Sequence, residues 1–246
     1  MDAASHFRLD SKTILITGAS SGIGKACAIA CAEAGATVLL NGRNEHRLLE
    51  VFEALEGSGH QILPYELREK EQVSELANKC SHLHGLIHSA GIDGVAPMRQ
   101  VQLKMLDNLF LINYVAAITL TQKLLAAKKI SNNGSILFMS SIAAKTGKRG
   151  VGPYSGTKAA LIGSMRPLAL EVAKYGIRVN ALCPGIVKTP LFEKQEIWLL
   201  EEVAESYPLG LGHPDDVAHA AVFFMSNASA KITGTDFSID GGVVLT

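Results

Sequence analysis

A tyrosine and a lysine four residues apart, in Tyr154-Ser155-Gly156-Thr157-Lys158, are the pair in this sequence best suited to moving a proton. On a helix that spacing puts both side chains on one face, with the ammonium close beneath the phenol. A nearby positive charge favours the phenolate, so Lys158 is expected to draw the tyrosine down from its ordinary pKa of about 10. Tyr154 can then serve as general acid or base. Thirteen residues before Tyr154 stands Ser141, preceded by Ser140, just after a run that reads as a strand. The Ser141 hydroxyl could hydrogen-bond a substrate oxygen and stabilise charge developing on it. Taken alone, a Tyr-x-x-x-Lys is more often a half-buried tyrosine beside a snorkelling lysine. Its weight depends on the elements around it.

One such element is Thr17-Gly18-Ala19-Ser20-Ser21-Gly22-Ile23-Gly24, placed between the strand-like run Thr13 to Thr17 and the helical run Lys25 to Ala34. Strand, glycine-rich turn and helix in that order make a phosphate cradle. Glycine allows positive φ and lets the backbone approach a pyrophosphate, and the helix N-terminus offers free N–H groups to the anion. The second strand ends at Asn41-Gly42-Arg43-Asn44. An NAD enzyme commonly has a carboxylate there for the ribose 2′-hydroxyl, whereas the Arg43 guanidinium suits the 2′-phosphate of NADP. NADP(H) is therefore expected in preference to NAD. The plainer reading of Arg43 is a solvated charge that opens the next helix.

Short β-branched runs at Thr13 to Thr17, Thr37 to Leu40, Ile62 to Tyr65, Gly85 to Ser89, Ser135 to Met139, Ile177 to Leu182 and Asp236 to Ile239 alternate with helix-length segments. Most are apolar along their whole length, as when helices cover both faces of a parallel sheet. The expected fold is α/β: one Rossmann-type, doubly wound domain over residues 1–246, with a seven-stranded parallel sheet flanked by helices. In such a sheet ligands bind beyond the carboxyl ends of the strands, where the residues singled out above fall.

Lys plus Arg equals Asp plus Glu at 23 each, which leaves no global field to attract nucleic acid or an anionic membrane. Apolar runs such as Ala26 to Ala32 stop well short of the roughly 18 residues of a membrane span. Four cysteines without a CxxC pair fit a reducing cytosol. A soluble, cytoplasmic protein with a small-molecule partner is expected, its residues 1–10 forming a short leader. His82 and His84 lack a third ligand at metal spacing, so no metal is expected, and Cys27 and Cys31 are assigned to the core.

Taken together, the glycine turn, Ser141, Tyr154 and Lys158 resemble the short-chain dehydrogenase/reductase family over residues 10–245. The resemblance implies that Gly18, Ser20, Ser21, Ile23 and Gly24 hold a dinucleotide. It makes Ser141, Tyr154 and Lys158 catalytic, with Tyr154 and Lys158 also contacting the cofactor and the cationic nicotinamide helping to lower the phenol's pKa. Asn113 would be the fourth catalytic residue, interrupting a long helix and holding a water that links Lys158 to solvent. In Pro184-Gly185-Ile186-Val187-Lys188-Thr189, Pro184 and Gly185 open a nicotinamide-side loop in which the Val187 backbone and Thr189 hydroxyl hold the carboxamide.

The sequence departs from the family in two places. Where relatives show Asn-Asn-Ala-Gly it has His88-Ser89-Ala90-Gly91. Ala90 and Gly91 keep the close approach to cofactor, while His88 is expected to replace an amide that ties neighbouring strands. Where relatives often have Asp-Val it has Glu66-Leu67, with Glu66 the expected acceptor from the adenine amino group. Relatives assemble through the last strand and paired long helices, which implies a homotetramer or homodimer.

The broad likeness is to 3-oxoacyl-[acyl-carrier-protein] reductases and to ketone, sugar and steroid reductases. Residues Leu191 to Tyr207 are expected to form a substrate lid, with Leu191, Phe192, Ile197, Trp198 and Leu200 near a pocket that favours hydrophobic substrates. Where carrier-protein reductases often carry arginines, this chain has Asn132 and Tyr175, with Lys128, Lys129, Lys174 and Arg178 nearby to compensate. The expected reaction is reduction of a ketone or 3-oxoacyl group to a secondary alcohol, an acyl-carrier protein being one partner. The other class considered, a non-catalytic dinucleotide sensor or scaffold, would be marked by loss of the tyrosine or lysine.

Overall fold

The computed structural model describes residues 3–190 and 204–245. In chain order the elements are β1 (Thr13–Thr17), α1 (Gly22–Glu33), β2 (Thr37–Asn41), α2 (Glu45–Glu53), β3 (Gln61–Leu63), α3 (Lys70–Lys79) and β4 (Leu83–His88). They continue with α4 (Leu103–Phe110), a π-helical turn (Leu111–Val115), α5 (Ala116–Ala126), β5 (Ile130–Met139), α6 (Gly152–Val172), β6 (Arg178–Pro184), α7 (Pro214–Met225) and β7 (Asp236–Ile239). The strands form one seven-stranded parallel sheet in the order β3-β2-β1-β4-β5-β6-β7. Strand order reverses between β1 and β4, and Thr17 is paired with Asn41 on one side and His88 on the other.

Successive β1 residues face opposite sides, and both sides are covered. Leu15 joins Leu86, Phe138, Leu120 and Met165 beneath α3, α5 and α6. Ile14 and Ile16 join Ile87, Cys27, Leu48 and Phe224 beneath α1, α2 and α7. That two-sided burial is why the strand sequences are unbroken apolar runs. Small residues on α1, including Ala28, Cys31 and Ala32, let it pack closely on α7. All four cysteines are free and buried, and burial lifts the Cys27 thiol to about 12, so these groups serve as core.

The helix running from Leu103 through Ala126 is, by length and composition, apolar enough to cross a bilayer, which run lengths in the sequence did not suggest. Its inward face packs on α3 and α6, and the polar Asn113 is buried at its centre. The apolar content is thereby used within the fold.

Histidines are structural here. His84 Nδ1 accepts the Thr13 N–H at 3.1 Å, pinning the start of β1 to β4. His88 also has a structural role, though its partner differs from the expected strand-to-strand tie. Its Nε2 meets Thr121 Oγ1 at 2.8 Å, joining β4 to α5, and its ring stacks on Phe138 with centroids 5.0 Å apart. Thr121 already donates to the Ala117 carbonyl, so it accepts from His88. Burial pushes the imidazole pKa down to about 3 and keeps it neutral.

Candidate active site

Asn113, Ser141, Tyr154 and Lys158 converge at the carboxyl ends of β4 and β5. The π turn adds one residue to the helical ladder and swings Asn113 inward, to 1 % exposure. Asn113 Nδ2 donates to the Ile92 carbonyl at 2.9 Å and to Thr157 Oγ1 at 3.1 Å, and its Oδ1 accepts the Ile92 N–H at 2.8 Å. Thr157 in turn donates to the Tyr154 carbonyl. Asn113 thus ties the loop after β4 to the helix bearing Tyr154 and Lys158. A Cβ on Gly91 would lie 3.3 Å from Asn113 Oδ1 and 3.4 Å from Lys158 Nζ, which places the Ala90-Gly91 backbone against both groups.

Lys158 is 6 % exposed, and its Nζ donates to the Met139 carbonyl at 2.8 Å. The ammonium lies 5.6 Å from the centre of the Tyr154 ring, as the four-residue spacing required. Burial lowers its pKa to about 8. Ser140 donates to the Lys158 carbonyl at 2.9 Å, locking α6 to the end of β5. Ser141 accepts the Ala143 N–H at 3.1 Å, which fixes its Oγ at the head of a short 3₁₀ turn, and its hydroxyl faces the Pro184 carbonyl at 3.5 Å.

The expectation that Lys158 lowers the phenol's pKa needs correction for the protein by itself. Burial pushes Tyr154 up to about 12; the nearby Ser141 hydroxyl opposes this, and the Asp93 carboxylate adds to it. The resting group is therefore a protonated phenol beside a lysine that titrates near 8. That is the state a proton donor needs.

The glycine turn borders the same edge. Gly18 has φ +66°, and a Cβ there would fall 2.7 Å from the Ala90 Cα, so β1 and β4 meet only because the side chain is absent. Thr17 Oγ1 receives the N–H groups of Ser89 and Ala90, both at 3.2 Å, reinforcing that junction. Ser21, at the N-cap of α1, makes no side-chain cap, which leaves the first-turn N–H groups open to an anion. A cleft of about 670 Å³ opens over this terminus, with Ser20, Ser21, Lys25, Asn44 and Arg47 in its wall. Lys25 and Arg47 were missed in the sequence; their signal is that each is a base in the first turn of a helix following β1 or β2. A Cβ on Gly24 would strike the Gly18 carbonyl. Gly24→Ala is therefore expected to weaken dinucleotide binding at least about tenfold, measured by titration of nucleotide fluorescence.

The loop after β6 is pinned beside the cradle. The Gly185 N–H donates to the Ile239 carbonyl, Val187 forms a bridge with Gly212, and the Tyr207 hydroxyl accepts the Ile186 N–H at 3.0 Å. Val187 and Thr189 are buried at 7 % and 8 %, and Thr189 Cγ2 would be 3.3 Å from a Cβ on Gly22. Pro184 ends β6, and Ile23 packs on the core under α1. The lid residues Leu191, Phe192, Ile197, Trp198 and Leu200 lie outside the described residues.

Two sets of the expected site residues have partners within the chain that the sequence did not suggest. Arg43 is drawn to Glu66, with Nη1 3.7 Å from Oε2, so the proposed adenine acceptor is the arginine's own partner; the Leu67 side chain is core. Among the cations expected to meet an acidic carrier, Arg178 is buried and donates to the Phe224 and Ser226 carbonyls. Lys129 likewise caps the end of α3 through the Ala77, Asn78 and Cys80 carbonyls. Both are consumed by helix termini, where a cation offsets the dipole. They, Lys128 and Lys174 also sit where β5 and β6 begin, at the sheet edge opposite Tyr154.

This fold and site define a dinucleotide-binding oxidoreductase: a doubly wound sheet, a phosphate cradle at its switch point, and an acid beside the cradle. Residues 18–244 match a family model described as enoyl-(acyl carrier protein) reductase. The chain is 34% identical over 245 residues to the 3-oxoacyl-[acyl-carrier-protein] reductase FabG of Thermotoga maritima, covering 97% of this chain and 100% of that one. A gluconate 5-dehydrogenase from Burkholderia cenocepacia, solved with NADP and tartrate, superposes with TM-score 0.91 at 28% identity and full coverage of both chains. A 7α-hydroxysteroid dehydrogenase solved with NADH and 7-oxo glycochenodeoxycholic acid superposes with TM-score 0.88 at 28% identity, covering 98% of each. The chain belongs to the short-chain dehydrogenase/reductase family and is an NAD(P)-dependent enzyme.

Proposed function

We propose that this enzyme uses NADPH to reduce a ketone or 3-oxoacyl group to a secondary alcohol, with Tyr154 as the proton donor. The observation that carries the reading is the buried Lys158 ammonium 5.6 Å from the centre of the Tyr154 ring, beside the Gly91 backbone. The cradle fits a dinucleotide, because a Cβ at Gly18 would close it. When bound, the reduced nicotinamide supplies the hydride. Ser141 and Tyr154 hold the carbonyl oxygen and polarise it toward attack. Tyr154 gives its proton to that oxygen as negative charge forms on it, and Lys158 stabilises the phenolate left behind.

Arg43 and the nearby Lys25 and Arg47 favour a third phosphate, hence NADP over NAD. The FabG relative supports a 3-oxoacyl substrate, whereas the placement of Lys129 and Arg178 counts against docking of an acidic carrier on the same chain's far edge. We take the substrate to be a small acyl thioester or related ketone, in a cytoplasmic homodimer or homotetramer. Support for assembly comes from large apolar residues left exposed on the long helices, Leu103 at 71 % and Leu170 at 82 %. Nicotinamide absorbance followed with acetoacetyl-thioesters and with simple ketones, using NADPH and NADH in parallel, tests the reading. Faster turnover with NADPH and a thioester is expected. A clear preference for NADH would remove the cofactor assignment, and activity confined to other ketones would remove the acyl substrate.

A further inference from the structure

Three charged side chains meet where β2 and β3 end, and one of them is an anion in the place where a nucleotide phosphate is expected. Glu66 Oε2 lies 3.7 Å from Arg43 Nη1 and 3.9 Å from Arg68 Nη1. Glu66 Oε1 accepts the Arg68 N–H at 3.2 Å, and the Glu66 N–H donates to Gln72 Oε1 at 2.7 Å. The carboxylate is therefore anchored at both backbone and side chain. Its side chain is 26 % exposed and that of Arg43 is 64 % exposed, so the guanidinium is the freer partner. Arg68 keeps a buried Nε with no hydrogen-bond partner among the described residues, so one carboxylate is shared by two guanidinium groups without satisfying them.

A guanidinium facing a carboxylate is not free for a second anion. A 2′-phosphate, with close to two negative charges, must either pull Arg43 from Glu66 or sit beside the carboxylate and be repelled by it. A ribose 2′-hydroxyl meets neither obstacle.

We propose that Glu66 is a specificity-determining residue that competes with the nucleotide's 2′-phosphate for Arg43 and so holds the enzyme's preference for NADP(H) below what its arginines would otherwise give. This rests on the NADP(H) reading above. Gln at this position keeps the size and an oxygen able to accept from adenine, and removes only the charge. The two possible roles of Glu66 then predict opposite results. A competitor, once neutralised, lets the phosphate bind more tightly; an adenine acceptor, once weakened, loses affinity for every adenine nucleotide.

The test is calorimetric titration of the full-length protein, wild type, Glu66→Gln and Arg43→Ala, with 2′,5′-ADP and with 5′-ADP at low ionic strength. The ratio of the two affinities is expected to rise about two- to fivefold in Glu66→Gln, the gain expected from releasing one largely exposed ion pair. That gain should shrink in about 0.5 M salt, where charges are screened within a few ångströms. In Arg43→Ala the ratio should fall toward one. A wild type that prefers 2′,5′-ADP, with a ratio unchanged or lowered in Glu66→Gln, overturns the competition while leaving the NADP(H) reading in place. Equal weakening of both nucleotides by Glu66→Gln also overturns it, in favour of an adenine contact. No preference between the nucleotides in either wild type or Glu66→Gln removes both the NADP(H) reading and this inference.

Discussion

Replacing Lys158 with methionine is expected to lower kcat for carbonyl reduction about a thousandfold while making the folded protein more stable at pH 7. The lysine is 6 % exposed, and burial brings its ammonium from an ordinary 10.5 to about 8. A fall of that size corresponds to roughly 3 kcal/mol of penalty on the charged form. In a group whose folded pKa is lowered this way, the unfolded chain binds more protons between the two values. Stability from this group therefore rises with pH from about 8 to 10.5; the penalty is present in full below that window and gone above it. Methionine fills nearly the same volume without the charge, at the loss of the hydrogen bond to the Met139 carbonyl, worth about 1 kcal/mol. The expected net gain is about 2 kcal/mol at pH 7, passing through zero near pH 10 and becoming a loss of about 1 kcal/mol above pH 10.5. Urea unfolding of both proteins at the two pH values checks it. A variant less stable than wild type at pH 7 would show that the ammonium is held by more than its geometry provides.

Catalysis fails in the same variant for a separate reason. With burial and Asp93 holding the Tyr154 phenol near 12, the phenolate formed on proton donation has Lys158 as its nearest cation. Removing that charge leaves the anion in an apolar site. Function here rests on a group that the fold would be more stable without, a common feature of active sites.

The fold was legible because burial on both faces writes itself into each strand as an unbroken apolar run. Its boundaries were less so, for local reasons. β3 stops at Leu63 and not at Tyr65 because Pro64 has no N–H for the ladder. β5 begins at Ile130, five residues before its apolar run, because Ile130 pairs with Leu83 ahead of a register shift. Between them Ser131-Asn132-Asn133-Gly134 reads as a turn, and Asn133 does take φ +61°. The site was legible where the chemistry is set by spacing along one element. Tyr154 and Lys158 share a helix face, and Gly18 to Gly24 share one turn. It was not legible where a side chain's partner comes from distant sequence. Nothing near Arg178 announces the carbonyls of Phe224 and Ser226, and nothing near Arg43 announces Glu66. The Tyr154 environment belongs to the same class, since the burial that raises its pKa is assembled from segments distant in sequence.

Tyr154→Phe isolates the proton from everything else the tyrosine does. Phenylalanine keeps the ring that lies over the Lys158 ammonium and removes only the hydroxyl. General acid catalysis by a positioned side chain contributes about 10²- to 10⁴-fold, so loss of the hydroxyl should lower the hydride-transfer rate by that factor. The cradle at Gly18 to Gly24 does not use the hydroxyl, and nucleotide affinity should stay within about twofold of wild type. The most direct measurement is single-turnover oxidation of bound NADPH by a ketone substrate, followed in the two proteins at matched nucleotide occupancy. A rate at least about a hundredfold lower is expected in Tyr154→Phe, with the nucleotide still bound. Equal rates in the two proteins would contradict proton donation by Tyr154.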